Sequence, residues 1–196
     1  VEITEADQMT ISATTSDYTG FGVSCNGVAD GSIDVTVEGG TGNYTYAWSN
    51  GAFDGSTEED LSSVPAGVYT VVATDENGCS VSTVVIITES DAMTISATLS
   101  DYTGYGVSCN GATDGSIDVT VEGGTGVYTY DWLHGADTED VSGLGAGTYS
   151  VLATDVNGCS VSIEVEITEA DQMTIAESHS DYTGYGVSCN GATDGS

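Results

Sequence analysis

The sequence predicts an all-β protein built as tandem immunoglobulin-like, Greek-key β-sandwich modules of about seven strands each, arranged end to end as a rod. Three observations carry this reading. Apolar and polar residues alternate with a period of two rather than 3.6. Gly-containing turn dipeptides punctuate the alternating runs. Long strings of sequence recur at a nearly fixed offset.

The recurrence sets the organisation. Asp30–Gly42 is repeated letter for letter at Asp114–Gly126, an offset of 84, and Asp101–Ser116 at Asp181–Ser196, an offset of 80. Met9, Met93 and Met173 keep the same spacing, and the first copy carries an insertion near Phe53–Glu59 where the second is shorter around Ala136–Thr138. The string I-T-E-x-D-x-M marks the boundaries. The expected division is the end of a preceding module at 1–7, a first repeat at 8–90, a second at 91–170, and the start of a third at 171–196. The linkers hold only a few residues, with no Pro and no Gly run, which keeps neighbouring modules end to end.

Within a module each strand can be read from its alternation. Ile33, Val35 and Val37 share one face and Asp34, Thr36 and Glu38 the other; Tyr44, Tyr46 and Trp48 follow on a second strand. Tyr69, Val71 and Ala73 alternate with Thr70, Val72 and Thr74, and Val161, Ile163, Val165 and Ile167 with Ser and Glu. Asp30-Gly31, Gly39-Gly40, Asn50-Gly51 and Asn77-Gly78 supply the turns. A Trp on a middle strand and the Gly67-Val68-Tyr69 opening of a later one suit an immunoglobulin-like sandwich.

Charge removes whole classes of function. The 196 residues include 31 Asp or Glu and no Lys or Arg, for a formal charge of −31. Such a chain has no cationic footprint for nucleic acid and no polybasic patch for anionic lipid. It has no P-loop lysine or arginine finger for phosphoryl transfer. Disorder is the other expectation for so acidic a chain. Against it stand 39% hydrophobic residues, 11 Tyr, 2 Trp and a mean hydropathy of −0.02. No apolar run approaches the ~18 residues of a membrane span, so no direct membrane insertion is expected. The chain opens inside a strand-like V-E-I-T and closes inside a repeated motif, and so reads as a window cut from a longer exported polypeptide.

Five cysteines recur with the modules. Pairing Cys25 with Cys79 and Cys109 with Cys159 would staple each sandwich internally and leave Cys189 for a cysteine beyond the window. A rival pairing, Cys79 with Cys109, would tie module to module. Each intramodule bridge would contribute roughly 4 kcal/mol in the chain-entropy picture. Disulfides place the chain in an oxidising, extracellular setting.

The string V-S-C-N-G-x-x-D-G-S-I-D-V-T-V-x-G-G-T-G-x-Y-T-Y-x-W, continued by A-G-x-Y-x-V-x-A-T-D-x-N-G-C, resembles the SprB repeat. It covers Val23–Cys79 and Val107–Cys159 and begins again at Val187. The resemblance implies a large surface protein of the Bacteroidota, exported by type IX secretion and similar to the mobile adhesin of gliding motility.

Catalysis finds no foothold: neither His134 nor His179 recurs, no Cys–His pair is set up, and an enzyme is not expected. Calcium is the chemically better cofactor, because hard cations take oxygen ligands. The boundary acids Glu5, Asp7, Glu89, Asp91, Glu169 and Asp171 could clamp one module to the next, with the Asp75–Gly78 and Asp155–Gly158 turns as a second site. The aromatics Tyr18, Phe21, Tyr102, Tyr105, Tyr182 and Tyr185 precede each first Cys, suited either to covering the open end of a sandwich or to stacking on sugar. Val84 and Ile86 stand on a face where the second copy has Glu164 and Glu166, and so mark a candidate contact between chains. The function expected is a structural, adhesive cell-surface fibre whose partners are neighbouring repeats of the same chain. A self-assembling filament of identical chains is the alternative reading, and a module binding surface polysaccharide or glycan the third.

Overall fold

The computed structural model describes residues 3–50, 55–181 and 183–195, and among them it contains strands and turns but no helix. The alternating runs fold as read. In the first module β1 is Thr10–Thr15, β2 Gly31–Glu38, β3 Thr45–Ser49, β4 Leu61–Val64, β5 Gly67–Thr74 and β6 Ser80–Ile87. The second repeats the set as β7 Thr94–Leu99, β8 Gly115–Glu122, β9 Tyr128–Trp132, β10 Val141–Leu144, β11 Gly147–Asp155 and β12 Ser160–Ile167. Each module is two three-stranded antiparallel sheets, β1-β2-β4 against β3-β5-β6 and β7-β8-β10 against β9-β11-β12. Gly31, Ile33 and Val35 of β2 point inward and Ser32, Asp34 and Thr36 outward, as a period of two requires.

Trp48, Tyr69, Val71, Ile33 and Ile87 fill the first core, and Trp132, Val151, Ile117 and Ile167 the second. Each such side chain contributes about 1.5–3 kcal/mol by leaving water. The polar tips are satisfied: Trp48 Nε1 donates to the Glu58 carbonyl and Tyr69 Oη to that of Pro65, both at 2.8 Å. Tyr46 and Tyr130 hold equivalent places in the two modules, and Tyr46 Oη donates to the Glu59 carboxylate at 2.7 Å.

Among the described residues each module has six strands, where the sequence led us to expect about seven. The order resembles the ABE and CFG sheets of an immunoglobulin-type sandwich without the edge strand that would follow β3. The second module shows why: only residues 133–140 join β9 to β10, and they close a tight turn in which Gly135 N donates to Trp132 O and Trp132 N to Ala136 O. In the first module the equivalent connection is longer, and its residues 51–54, including Phe53, lie outside the described set.

Gly31 recurs as Gly115 for a steric reason. A Cβ on Gly31 would stand 2.8 Å from the Val64 carbonyl oxygen and 3.0 Å from that of Gly22. Two loops and a strand converge there, and only glycine fits.

Strand direction gives each module two distinct ends. β1 enters at one end, where the β2–β3 turn and the β5–β6 turn with Cys79 also lie, and Gly40 N is bonded to Asp7 O. β6 leaves at the other end, where Gly22 N donates to Thr88 O and the long β1–β2 connection carries Cys25. The eight residues of β6 separate these ends by about 26 Å at ~3.3 Å per residue.

Candidate functional site

The site is the junction between modules, and it is assembled from two local structures that the sequence folds on its own. The first is the loop after β1. Thr19 and Gly20 both have positive φ (51° and 96°), a tight turn closed by Tyr18 N to Phe21 O at 2.7 Å and capped by Asp17, whose carboxylate accepts from Gly20 N. Farther on, Asp30 accepts from Ser24 N at 3.0 Å, and the Ser24 hydroxyl and amide hold its carboxyl below the usual carboxylate range. The second module builds the same loop around Asp101, Tyr102, Tyr105, Ser108 and Asp114. Residues 181 and 183–195 build it a third time without any sheet beneath: Gly184 N bonds to Asp181, and Ser188 N to Asp194 at 3.1 Å. The loop is a local structure.

The second is the turn D-x-N-G-C between the last two strands. Asp75 is buried, with one carboxylate oxygen accepting from Asn77 N and Cys79 N and the other from Thr41 N and Thr41 Oγ1. Burial pushes this carboxyl up, but the amides of Cys79, Thr41 and Asn77 and the Thr41 hydroxyl outweigh it and hold it below the ordinary range. In the second module Asp155 is buried likewise and accepts from Asn157 N, Cys159 N and Thr125 N.

These two structures meet where the modules meet. Cys25 on the first module's loop is bonded to Cys159 on the second module's turn, with Cα atoms 5.7 Å apart and 134 residues of separation. Asn157 Nδ2 donates to the carbonyls of Tyr18 and Ser24 at 3.1 and 3.2 Å, and Thr19 Oγ1 donates to Asn157 Oδ1 at 2.9 Å. The linker runs past the same point: Asn26 Nδ2 holds the Ser90 carbonyl at 2.8 Å, and Asp91 O accepts from Gly124 N. Two modules are thus tied at two points, by the chain itself and by a disulfide. In the chain-entropy picture a closed loop of this length contributes about 5 kcal/mol.

This corrects the cysteine pairing. Neither Cys25 with Cys79 and Cys109 with Cys159, nor Cys79 with Cys109, is formed; Cys79, Cys109 and Cys189 are free and exposed. The physical reason is the length of β6, which holds the two cysteines of one module at opposite ends of the sandwich. The bridge joins the exit end of one module to the entry end of the next.

Two of the boundary acids hold backbone amides with their carboxylates. The Glu89 carboxylate accepts from Gly27 N at 2.7 Å and the Glu169 carboxylate from Gly111 N at 2.6 Å, so each caps the loop that carries a cysteine. Asp7 and Asp91 contribute backbone carbonyls to Gly40 and Gly124, while Glu5 and Asp171 are exposed. Among the described residues no three His, Cys, Asp or Glu side chains converge on one point. Of the aromatics, Tyr18 and Phe21 are half-buried, whereas Tyr102 and Tyr105 are 39% and 42% exposed and Tyr185 is 73% exposed; Tyr182 lies outside the described residues. The Tyr102 hydroxyl reaches back to the Asp114 carbonyl of its own loop. Val84 and Ile86 are exposed on the outer face of β6, with Val68 paired to Ile86 across the ladder. His134 packs edge-on against Trp132 and Tyr149.

Reading the sequence missed the Asn of the turn as a junction residue. The signal was there in its recurrence as Asn77 and Asn157, but an Asn before Gly is also ordinary turn chemistry.

Comparison with known families places these features. The SprB repeat model matches residues 23–53 and 107–137, which in each module run from the cysteine-bearing loop through β2 and β3 or β8 and β9. No curated protein matches the chain. The SprB repeat model thus matches the chain twice, once in each of its two sandwich modules.

Proposed function

We propose that this chain is a load-bearing segment of an acidic cell-surface fibre that holds an adhesin away from a bacterial cell. The observation that carries the reading is the doubly tied junction, in which linker and Cys25–Cys159 bridge run side by side. A single short linker lets neighbouring domains pivot; a second covalent tie removes most of that freedom and keeps the array extended. The SprB repeat, the oxidised cysteines and the surface charge all suit the outside of a cell. With no Lys or Arg the segment offers trypsin no cleavage site. In this reading the rod provides reach, and ligand contact belongs to other parts of the fibre.

Small-angle scattering of the chain before and after reduction tests the mechanical part. The stalk reading expects one extended, narrow distribution of lengths when oxidised and a broader one when reduced. A compact folded-back oxidised chain, or one whose profile ignores reduction, would remove the basis for a stiff fibre. Antibodies against the chain should label intact cells of the source bacterium; label only after lysis would contradict surface display.

A further inference from the structure

Each sulfur of the Cys25–Cys159 bridge sits beside a strand that runs the length of its module. Cys25 lies on the connection that leaves β1 at Thr15, at the exit end of the first module. Cys159 immediately precedes Ser160, where β12 starts its run to the exit end of the second. We propose that the bridge is a mechanical bypass. Tension that enters ahead of β1 and leaves after β12 passes along β1, the Ser16–Cys25 segment, the disulfide and β12, and the chain between the two cysteines is shielded from it.

The bypass path is already drawn out. β1 and β12 are strands of six and eight residues, and a strand at ~3.3 Å per residue is close to its full reach. The Cα atoms of the bridge are 5.7 Å apart, so the disulfide adds little slack. Only the Ser16–Cys25 segment is folded on itself, and it is pinned along its length. Ser16 N donates to Ser32 O, Tyr18 N to Phe21 O, Gly22 N to Thr88 O and Ser24 N to the Asp30 carboxylate. Asn157 grips the Tyr18 and Ser24 carbonyls from the other module.

What leaves the path is everything that could lengthen. β2 to β6, the linker and β7 to β11 all fall within the 134-residue separation of the bridge, roughly 440–480 Å of chain at ~3.3–3.6 Å per residue. Without the bridge the same tension runs through the linker. Each module is then pulled between its first strand and its last, and lengthens only by unravelling. The bonds of Asn26 to Ser90 and of Gly27 to Glu89, which hold the linker against the loop, bear load in that case and none in the bridged one.

The bypass takes its use from the load-bearing reading but its path from connectivity alone. Failure of surface labelling would remove the use and leave the force response unchanged. Long releases from the bridged chain would remove the bypass and leave surface display open.

The test is the stretching of single full-length chains by optical tweezers, from handles at the two termini, with free thiols capped by iodoacetamide. The oxidised chain should show no release longer than about 60 Å, the most that a short local loop can give at ~3.6 Å per residue. Reduction with dithiothreitol should bring out two releases of roughly 210–250 Å, one for each module drawn out at ~3.3–3.6 Å per residue. Cys25→Ser or Cys159→Ser alone should restore both, because one bond shields both modules; reduction of the native chain supplies the comparison without relying on a variant that folds. Releases of that length from the oxidised chain would overturn the proposal. So would a single restored release in either variant, which would mean that each module carries its own staple, or no long release after reduction.

Discussion

Asn77 is bonded to the Thr41 hydroxyl at 2.7 Å, whereas Asn157, its counterpart, leaves the Thr125 hydroxyl without a bond and reaches into the neighbouring module. One turn therefore has two bonding states, and the state reports whether a module is docked. Thr41→Val should cost about 1 kcal/mol, since it strips a partner from Asn77 and from Asp75, while Thr125→Val should be neutral or mildly stabilising because its hydroxyl is buried without a bond. Denaturant unfolding of the two variants checks this. Equal losses would contradict the exchange.

Asn157→Ala should weaken the coupling between modules rather than the modules themselves. In the reduced chain, calorimetry should show the two unfolding transitions separating in Asn157→Ala, while Asn77→Ala only shifts the first. The Glu89→Ala variant should likewise loosen the loop around Gly27 and lower the melting temperature without any added cation, because its carboxylate caps that amide.

The buried turn aspartate gives a pH signature with a definite sign. Asp75 is held below its ordinary range when folded, so its contribution is complete above the unfolded carboxylate pKa and is lost as pH falls through the lower folded value. Asp75→Asn, which turns a donor toward other donors, should be destabilised at neutral pH. Its deficit against the native chain should shrink steadily into acid. A deficit constant with pH would show that the carboxylate charge is not what matters. At the alkaline end Tyr130, pushed up to about 12 by burial and then by its bond to Glu139, contributes stability below pH ~10 that is lost as pH rises through 12. Tyr130→Phe should flatten that limb.

Gly31→Ala or Gly115→Ala should destabilise by about 1–3 kcal/mol, the usual cost of forcing a group into a packed site. The neighbours of the added carbon are backbone carbonyls and cannot swing aside. Thermal melts of the two variants should fall together, since both modules use the same crossing. Gly145→Ala, where an added carbon meets nothing closer than 3.7 Å, is the control.

Much of this architecture is written in short range. Alternation located β2, β5 and their repeats because a half-buried strand can hide only every second side chain, and the turns were marked by the glycines that positive φ requires. The cysteine pairing was not legible in the same way. In a tandem repeat every first Cys is equivalent to every other, and so is every second, so pairing within a module and pairing to the next one have the same sequence signature. The deciding quantity is spatial: Cys79 immediately precedes β6 and the chain returns to the Cys25 loop only at Thr88, after the full length of that strand. The capping role of Glu89 and Glu169 was not legible either, because the amides they cap lie some 60 residues away in sequence.

The most direct test is disulfide mapping of the oxidised chain after cleavage at acidic residues, since trypsin has nothing to cut. Peptides carrying Cys25 and Cys159 should appear as one cross-linked species that reduction separates. Species joining Cys25 to Cys79 and Cys109 to Cys159 would contradict the junction and return each module to its own internal staple.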